Sequence, residues 1–238
     1  MNIFIFDDHA MLRQGLKASF SNEKEFTVVG STYLDSMEKR LESAGRPETQ
    51  ERKMVLVAPT WGKSGILARF GEKFLDCLTR TEYEIVVRPH PQSKTAEKEL
   101  LESLEKKYPD IKWNYDNDNF DILNRADIMI TDFSGVIFDY SLVFDKPVIY
   151  ADTSFDSGPY DADWLDEPMW EFRILSKIGI QLKEDDFGRI GEIIGDAISS
   201  ENLKASRREV RDEAWQNRGN AAASVVDYLV GKQKELVG

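Results

Sequence analysis

The sequence predicts an α/β protein built on a doubly wound parallel sheet. Three observations carry that expectation. Short apolar runs of strand length recur along the chain: MVLVAP at 54–59, YEIVV at 83–87, IKWNY at 111–115, IMI at 128–130 and VIY at 148–150. Amphipathic helical patterns fill the spaces between them, and strands alternating with helices favour a parallel sheet. The stretch 126–152 then reads as strand, turn, helix, strand, one β-α-β unit whose crossover is right-handed by strong preference.

In chain order, IFIF at 3–6 reads as a strand. Residues 9–20 read as an amphipathic helix, with Met11, Leu12, Leu16 and Phe20 on one side. FTVVG at 26–30 reads as a second strand ending in a glycine turn. Residues 32–44 are helical, with Leu34, Met37 and Leu41 in register. The polar segment 45–53 carries Pro47 and marks a boundary. A complete α/β unit follows it. Its first helix spans 66–79, with Leu67, Phe70, Phe74, Leu75 and Leu78 on the apolar face. A charged surface helix spans 94–107 and a short one 120–125. The helix that begins at Val136 is stopped by Asp145-Lys146-Pro147, because proline cannot continue it. Residues 153–163 read as an acidic surface loop, and Trp164, Trp170 and Phe172 as aromatic anchors. GIQL at 179–182 is an edge strand, and 185–199, 202–215 and 221–236 are helices.

Composition narrows the function classes. At 41% hydrophobic residues the chain can build a core, while its apolar runs are too short to span a bilayer. Asp7, Asp8 and His9 interrupt the apolar start, so no signal peptide is read and a cytoplasmic location is expected. A formal charge of −12 argues against nucleic-acid partners. The single cysteine, Cys77, excludes an internal disulfide and a cysteine metal cluster, and reads as a core residue. Two histidines without HExxH give no metal pattern. Lys204, Arg207, Arg208 and Arg211 are diluted by Glu209, Asp212 and Glu213, which reads as a solvated helix face rather than a lipid-binding patch.

Three loops carry the chemistry. APTWGKSG, RPHPQ and TDFSG each stand at the carboxyl end of a predicted strand. In a parallel sheet those ends share one edge, and ligands bind beyond it. In TDFSG, Thr131, Ser134 and Gly135 open a helix whose free N–H groups and positive dipole end suit a phosphate. Such residues also cap helices that bind nothing, so the convergence of loops carries the reading, not the turn alone. Arg88 offers a planar fork for two phosphate oxygens. His90, held between Pro89 and Pro91, suits hydrogen-bond donation or acid–base work. Its plainer role is a loop hydrogen bond. His90 and Arg88 are the catalytic candidates. Thr60 and Trp61 join the substrate-binding set, and Lys63 reads equally as a solvated charge. Asp132 reads as a helix cap or as the group that orients Arg88. Asp139 reads as a contact to a ribose hydroxyl or to solvent.

Two resemblances follow from these motifs. FDDHAMLRQGLKASF followed by FTVVG resembles the opening of a response-regulator receiver domain. A receiver needs a phospho-accepting Asp ending its third strand, and MVLVAP has none. APTWG, RPHPQS and TDFSGVIFDYSLVFDKPVIY resemble the CDP-glycerol glycerophosphotransferase family, the enzymes that polymerise teichoic acids. That similarity runs from about Val28 to the C-terminus. It implies the C-terminal half of a GT-B arrangement, in which two Rossmann-like halves flank the active site. The implied reaction moves glycerol phosphate from CDP-glycerol, or a similar CDP-polyol, to a polyol-phosphate or glycolipid acceptor. No cofactor beyond that donor and no metal are implied. His90 would stand at the donor phosphates with Arg88 beside it. Thr131, Ser134 and Gly135 would hold the pyrophosphate, with Asp139 nearby.

The sequence departs from the family in its N-terminal part. Members carry a long first half with a Trp-His-Gly-Thr-Pro type motif, which this chain lacks, and His9 does not replace its histidine. Residues 1–45 are therefore expected to be a remnant strand-helix-strand plus a linking helix, and 54–238 the nucleotide-donor domain. The expected partners include a companion chain or second copy and a peripheral contact with the cytoplasmic face of the membrane. Two alternatives stand beside the transferase reading. One is a non-catalytic CDP-polyol-binding half that needs a partner chain, and the other a degenerate receiver fusion.

Overall fold

The structure is a computed structural model, and it describes residues 27–45, 51–151 and 170–237. The expectations for 3–6, 9–20, the 153–163 loop and the three aromatic anchors lie outside the side chains it describes. Residues 27–30 form no strand, contrary to the reading of FTVVG.

Five strands lie in the order of the chain: β1 (Met54–Val57), β2 (Glu84–Val87), β3 (Lys112–Trp113), β4 (Ile128–Thr131) and β5 (Val148–Ala151). The last, β6 (Gly179–Leu182), follows further on. All pair in parallel, in the spatial order β3-β2-β1-β4-β5-β6. That is the doubly wound order in which the connections reverse direction between β1 and β4, and the crevice at this point is where such sheets bind ligands.

Strand residues alternate between two cores, as the period of 2 demands. Val55, Val57, Ile85, Val87, Ile128 and Ile130 face one side. There they meet α2 (Ile66–Leu78), α4 (Lys98–Lys107) and α8 (Ile190–Ser199). Met54, Leu56, Val86, Met129 and Val148 face the other. They meet α1 (Thr32–Ala44), α5 (Phe120–Arg125), α7 (Trp170–Ile178) and α9 (Glu201–Ala214). With both faces covered, the strands read as continuous apolar runs. Cys77 packs half-buried against the first core.

Several boundaries differ from expectation for local reasons. The 94–107 helix is two: α3 (Ser93–Ala96) and α4, broken at Glu97 (φ −131°). Ser93 Oγ lies 2.7 Å from a Glu97 carboxylate oxygen and closes that first turn. The helix after TDFSG is α-helical only over α6 (Val136–Phe138) and widens to a π turn over Asp139–Val143. Tyr140, Ser141, Leu142 and Val143 are all buried, so no amphipathic period survives there. A 3₁₀ segment, Glu184–Arg189, precedes α8 where one helix was expected. Arg207 corrects the solvated-face reading of α9: it is 3% exposed and faces Asp145 rather than water.

Lys146, of the sequence FDKPV, caps a helix from a distance. Its Nζ donates to the carbonyls of Leu123, Asn124 and Ala126 at the end of α5, the place where a cation best answers unpaired C=O groups. Burial lowers its pKa to about 8, and the charge of Asp127 opposes the shift.

The helix α1 belongs to this same body. Asp35 of α1 is 5% exposed, and its carboxylate accepts from Trp215 Nε1 (2.8 Å) and the backbone N–H groups of Gly219 and Ala221 (2.9 Å each). Ala221 begins α10 (Ala221–Val237), so Asp35 caps that helix from another element. Arg218 pairs with Glu38 beside it. Among the described residues no helix is long and apolar enough to cross a membrane.

Burial pushes the Asp35 carboxyl up, but the Gly219, Ala221 and Trp215 donors outweigh it and hold its pKa below 3.8. A depressed carboxylate contributes stability that is present above its unfolded pKa and lost as pH falls through the folded one. Asp35→Asn should therefore lower unfolding free energy at pH 7 by about 1–3 kcal/mol. It should also flatten the loss of stability below pH 4. Urea titrations at pH 3 and pH 7 measure both effects, and parallel wild-type and variant profiles would contradict them.

Candidate nucleotide site at the switch point

The strands end level, so their loops begin level. Val57 pairs with Val87 on one side and Ile130 on the other, and Val87 pairs with Trp113. One residue further on, the Ala58 N–H bonds the Ile130 carbonyl, the Arg88 N–H the Val57 carbonyl, and the Asn114 N–H the Val87 carbonyl. The loops after β1, β2, β3 and β4 therefore leave from one rim. With β1 between them, the ends of β2 and β4 are about 10 Å apart, two strand spacings.

Asp132 holds the centre of that rim. It is 1% exposed. Its carboxylate accepts from the Thr60 N–H (2.9 Å), the Ile66 N–H (3.0 Å) and the backbone N–H groups of Phe133 and Ser134. Ile66 begins α2, so a residue of the β4 loop caps the helix that follows β1. Desolvation pushes the Asp132 pKa up to about 6, against the pull of those four N–H groups. Thr131 Oγ1 donates to the Ala58 carbonyl at 2.6 Å and ties the same two loops again.

The glycines of the first loop serve this closure. Gly62 has φ +90°, and a Cβ on Gly65 would lie 2.6 Å from the Thr60 carbonyl oxygen. Gly135 differs, with φ −57° and open space where its Cβ would stand. It leaves the approach to the start of α6 clear. Trp61 is 43% exposed on the first loop.

Arg88 is half-buried and turned toward the loop after β3. It donates from Nη1 to Asn114 Oδ1 and from Nη2 to the Asp116 carbonyl at 2.8 Å. Asp132, read as a helix cap or as the group that orients Arg88, caps α2, and Arg88 is held by other partners. Burial lowers the guanidinium pKa, and the charges of Asp116 and Asp118 oppose the shift. His90 is fixed by its own turn: the Gln92 N–H donates to Nδ1 at 3.2 Å and the Ser93 N–H to its carbonyl at 2.9 Å. With Nδ1 accepting, the neutral ring carries its proton on Nε2. Burial holds the imidazole pKa below 6.5, opposed by Glu97. Asp139 opens the π turn and accepts from Tyr33 Oη of α1 at 3.0 Å.

Thr60, Trp61, Arg88, His90, Asp132, Ser134 and Gly135 thus lie on three neighbouring loops, with Thr131 at the end of β4. Asp139 sits one turn further along. Sequence reading missed Asn114 and Asp116, which hold Arg88, and Tyr33, which holds Asp139. The polar run NYDNDN, which begins inside the predicted strand 111–115 and continues past it, was the available signal for the first two.

These features define a Rossmann-like domain with its candidate site at the sheet's switch point. The family model described as CDP-glycerol:poly(glycerophosphate) glycerophosphotransferase matches residues 29–165, more than half of the chain. The chain belongs to that family. The teichoic acid glycerol-phosphate primase of Bacillus subtilis (strain 168) is 32% identical over 106 residues, covering 42% of this chain and 26% of the primase. The wall teichoic acid polymerase TagF aligns with 87% of this chain and 49% of its own at 19% identity (TM-score 0.48). A UDP-forming α,α-trehalose-phosphate synthase from Burkholderia xenovorans covers 84% of this chain and 50% of its own at 12% identity (TM-score 0.54). That last likeness concerns the fold. The chain spans about a quarter of the primase and half of the two structures.

Two measurements check the site. Every carboxylate oxygen of Asp132 accepts a backbone N–H, so an amide in its place opposes donor to donor in either orientation. Asp132→Asn should cost about 1–3 kcal/mol of unfolding free energy, and an unchanged urea midpoint would show the loops are held elsewhere. For His90, the pKa depressed on folding means a stability contribution that is whole above pH 6.5 and drains as pH falls through the native midpoint. In a His9→Gln background, NMR titration of the remaining imidazole should give a midpoint below 6.5. A midpoint at or above that value would contradict the burial argument.

Proposed function

We propose that this chain forms the donor-nucleotide half of a CDP-glycerol glycerophosphotransferase acting in teichoic acid synthesis. The observation that carries the reading is the common rim: the motif loops of β1, β2 and β4 leave from one rim of a parallel sheet, beside its switch point, in a chain of this family. The donor's phosphates would lie over the open approach at Ser134 and Gly135, with Nε2–H of His90 directed at them. Arg88, braced by Asn114 and Asp116, would supply positive charge from the neighbouring loop. The acceptor hydroxyl attacks the glycerol-bearing phosphorus as the P–O bond to CMP breaks; the hydroxyl proton passes to the released CMP or to solvent, and the Nε2–H of His90 hydrogen-bonds the departing phosphate oxygen while keeping its proton. Positioning and charge neutralisation supply most of the catalysis in such transfers. The acceptor would be a polyol phosphate or glycolipid presented at the cytoplasmic face of the membrane, where the chain would work as a peripheral protein, with a partner chain or second copy completing the site.

Isothermal titration with CDP-glycerol tests the binding half. Saturable heat below millimolar donor is expected, weakened at least about tenfold by Ser134→Asp, which sets a like charge on the phosphate turn. A folded protein that gives no heat at millimolar donor would end the reading. Binding without CMP release in the presence of acceptor would instead favour a non-catalytic donor-binding half.

A further inference from the structure

A second polar centre lies at the opposite edge of the sheet from the candidate donor site, where the π turn, the Asp145 turn and α9 pack together. Its buried polar atoms lack partners. Arg207 donates from Nη2 to the Asp145 carbonyl at 3.1 Å, yet its Nε and Nη1 are buried with no hydrogen bond. Ser141, 1% exposed on the π turn, has an unpaired Oγ. Arg211, one helical turn beyond Arg207 on the same face of α9, has a buried and unpaired Nε. The fifth atom is Asp145 Oδ1, which faces Arg207 Nε at 3.6 Å as an ion pair too long for a hydrogen bond. Buried groups of this kind are paired with protein, water or ion in nearly all folded proteins, so five of them on adjoining elements indicate a missing occupant.

The chemistry of the five atoms selects that occupant. Three are guanidinium donors, one is a hydroxyl that can donate, and one accepts. A water molecule accepts two hydrogen bonds and would leave a buried guanidinium N–H unanswered. Charge points the same way. Arg207, Arg208 and Arg211 gather here against one carboxylate, Asp145, which is 22% exposed, binds Arg208 at 2.9 Å and faces Arg207 at 3.6 Å. Asp212 lies 3.7 Å from Arg211 but is 75% exposed, where water screens it. We propose that Ser141, Arg207 and Arg211 enclose a binding site for one small anion of halide size, which knits α9 to the π turn.

The test uses the full chain and compares thermal unfolding in sodium chloride with unfolding in sodium gluconate at equal ionic strength. Chloride should raise Tm by on the order of 2–4 °C at saturation. Arg207→Met should abolish the halide dependence. Should that variant not fold, Ser141→Ala, which removes only the hydroxyl, should still shift the half-saturating chloride concentration upward several-fold. Crystals grown in bromide should show an anomalous peak between Arg207 and Arg211. Equal Tm values in the two salts, or a bromide map with no peak at this junction, would overturn the proposal.

Discussion

Two of the three loops at the candidate rim are held together by one buried carboxylate. Asp132 lies in the loop after β4, the first strand beyond the reversal of the sheet, yet it caps the helix that follows β1. A helix start in this position is an anion site in waiting. Here the chain fills it with its own carboxylate, so the positive end of α2 is answered from within. The β4 turn, where Gly135 leaves open space, is the side the chain does not fill itself. One hydrogen-bonding group thus does two things. It fixes two loops against each other, and it decides which of two helix starts remains open.

The other parts of the rim follow the same logic of fixed backbone and restrained side chains. Pro89 and Pro91 limit the backbone around His90, and the Gln92 N–H sets its tautomer. Asn114 and Asp116 hold the Arg88 guanidinium. Each restraint acts before any ligand arrives, so less freedom is lost on binding. Strand pairing that ends level at Val57, Val87 and Ile130 makes such alignment available to three separate loops.

Much of this was legible in the sequence. Apolar runs such as MVLV and IMIT are buried on both faces and cannot be mistaken for surface segments. Pro147 and the glycines of TWGKSG mark their turns by covalent geometry alone. The connections of α/β units are stereotyped, so loops that follow strands could be placed on one rim without coordinates. What stayed hidden depends on contacts between distant residues. Nothing local says that Asp132 reaches Ile66, or that Arg88 turns to Asn114. Arg207 stands among acids in a charged helix and reads as solvated, but the Asp145 turn, 62 residues earlier, buries it. The π turn escaped because Tyr140 to Val143 carry no amphipathic signal once all four are enclosed.

The Asp35 clasp bears on how the molecule assembles. It joins residues 180 to 186 positions apart in the chain. Closing so long a span costs only about 0.6 kcal/mol more than closing half of it, but the encounter needs both partners already shaped. Trp215 and the start of α10 must be in place before Asp35 has anything to accept. The strands and their flanking helices can form from shorter-range contacts, whereas the clasp between α1 and α10 needs both elements in place. The C-terminal helix is therefore the element whose docking reports that the rest of the domain has reached its native arrangement.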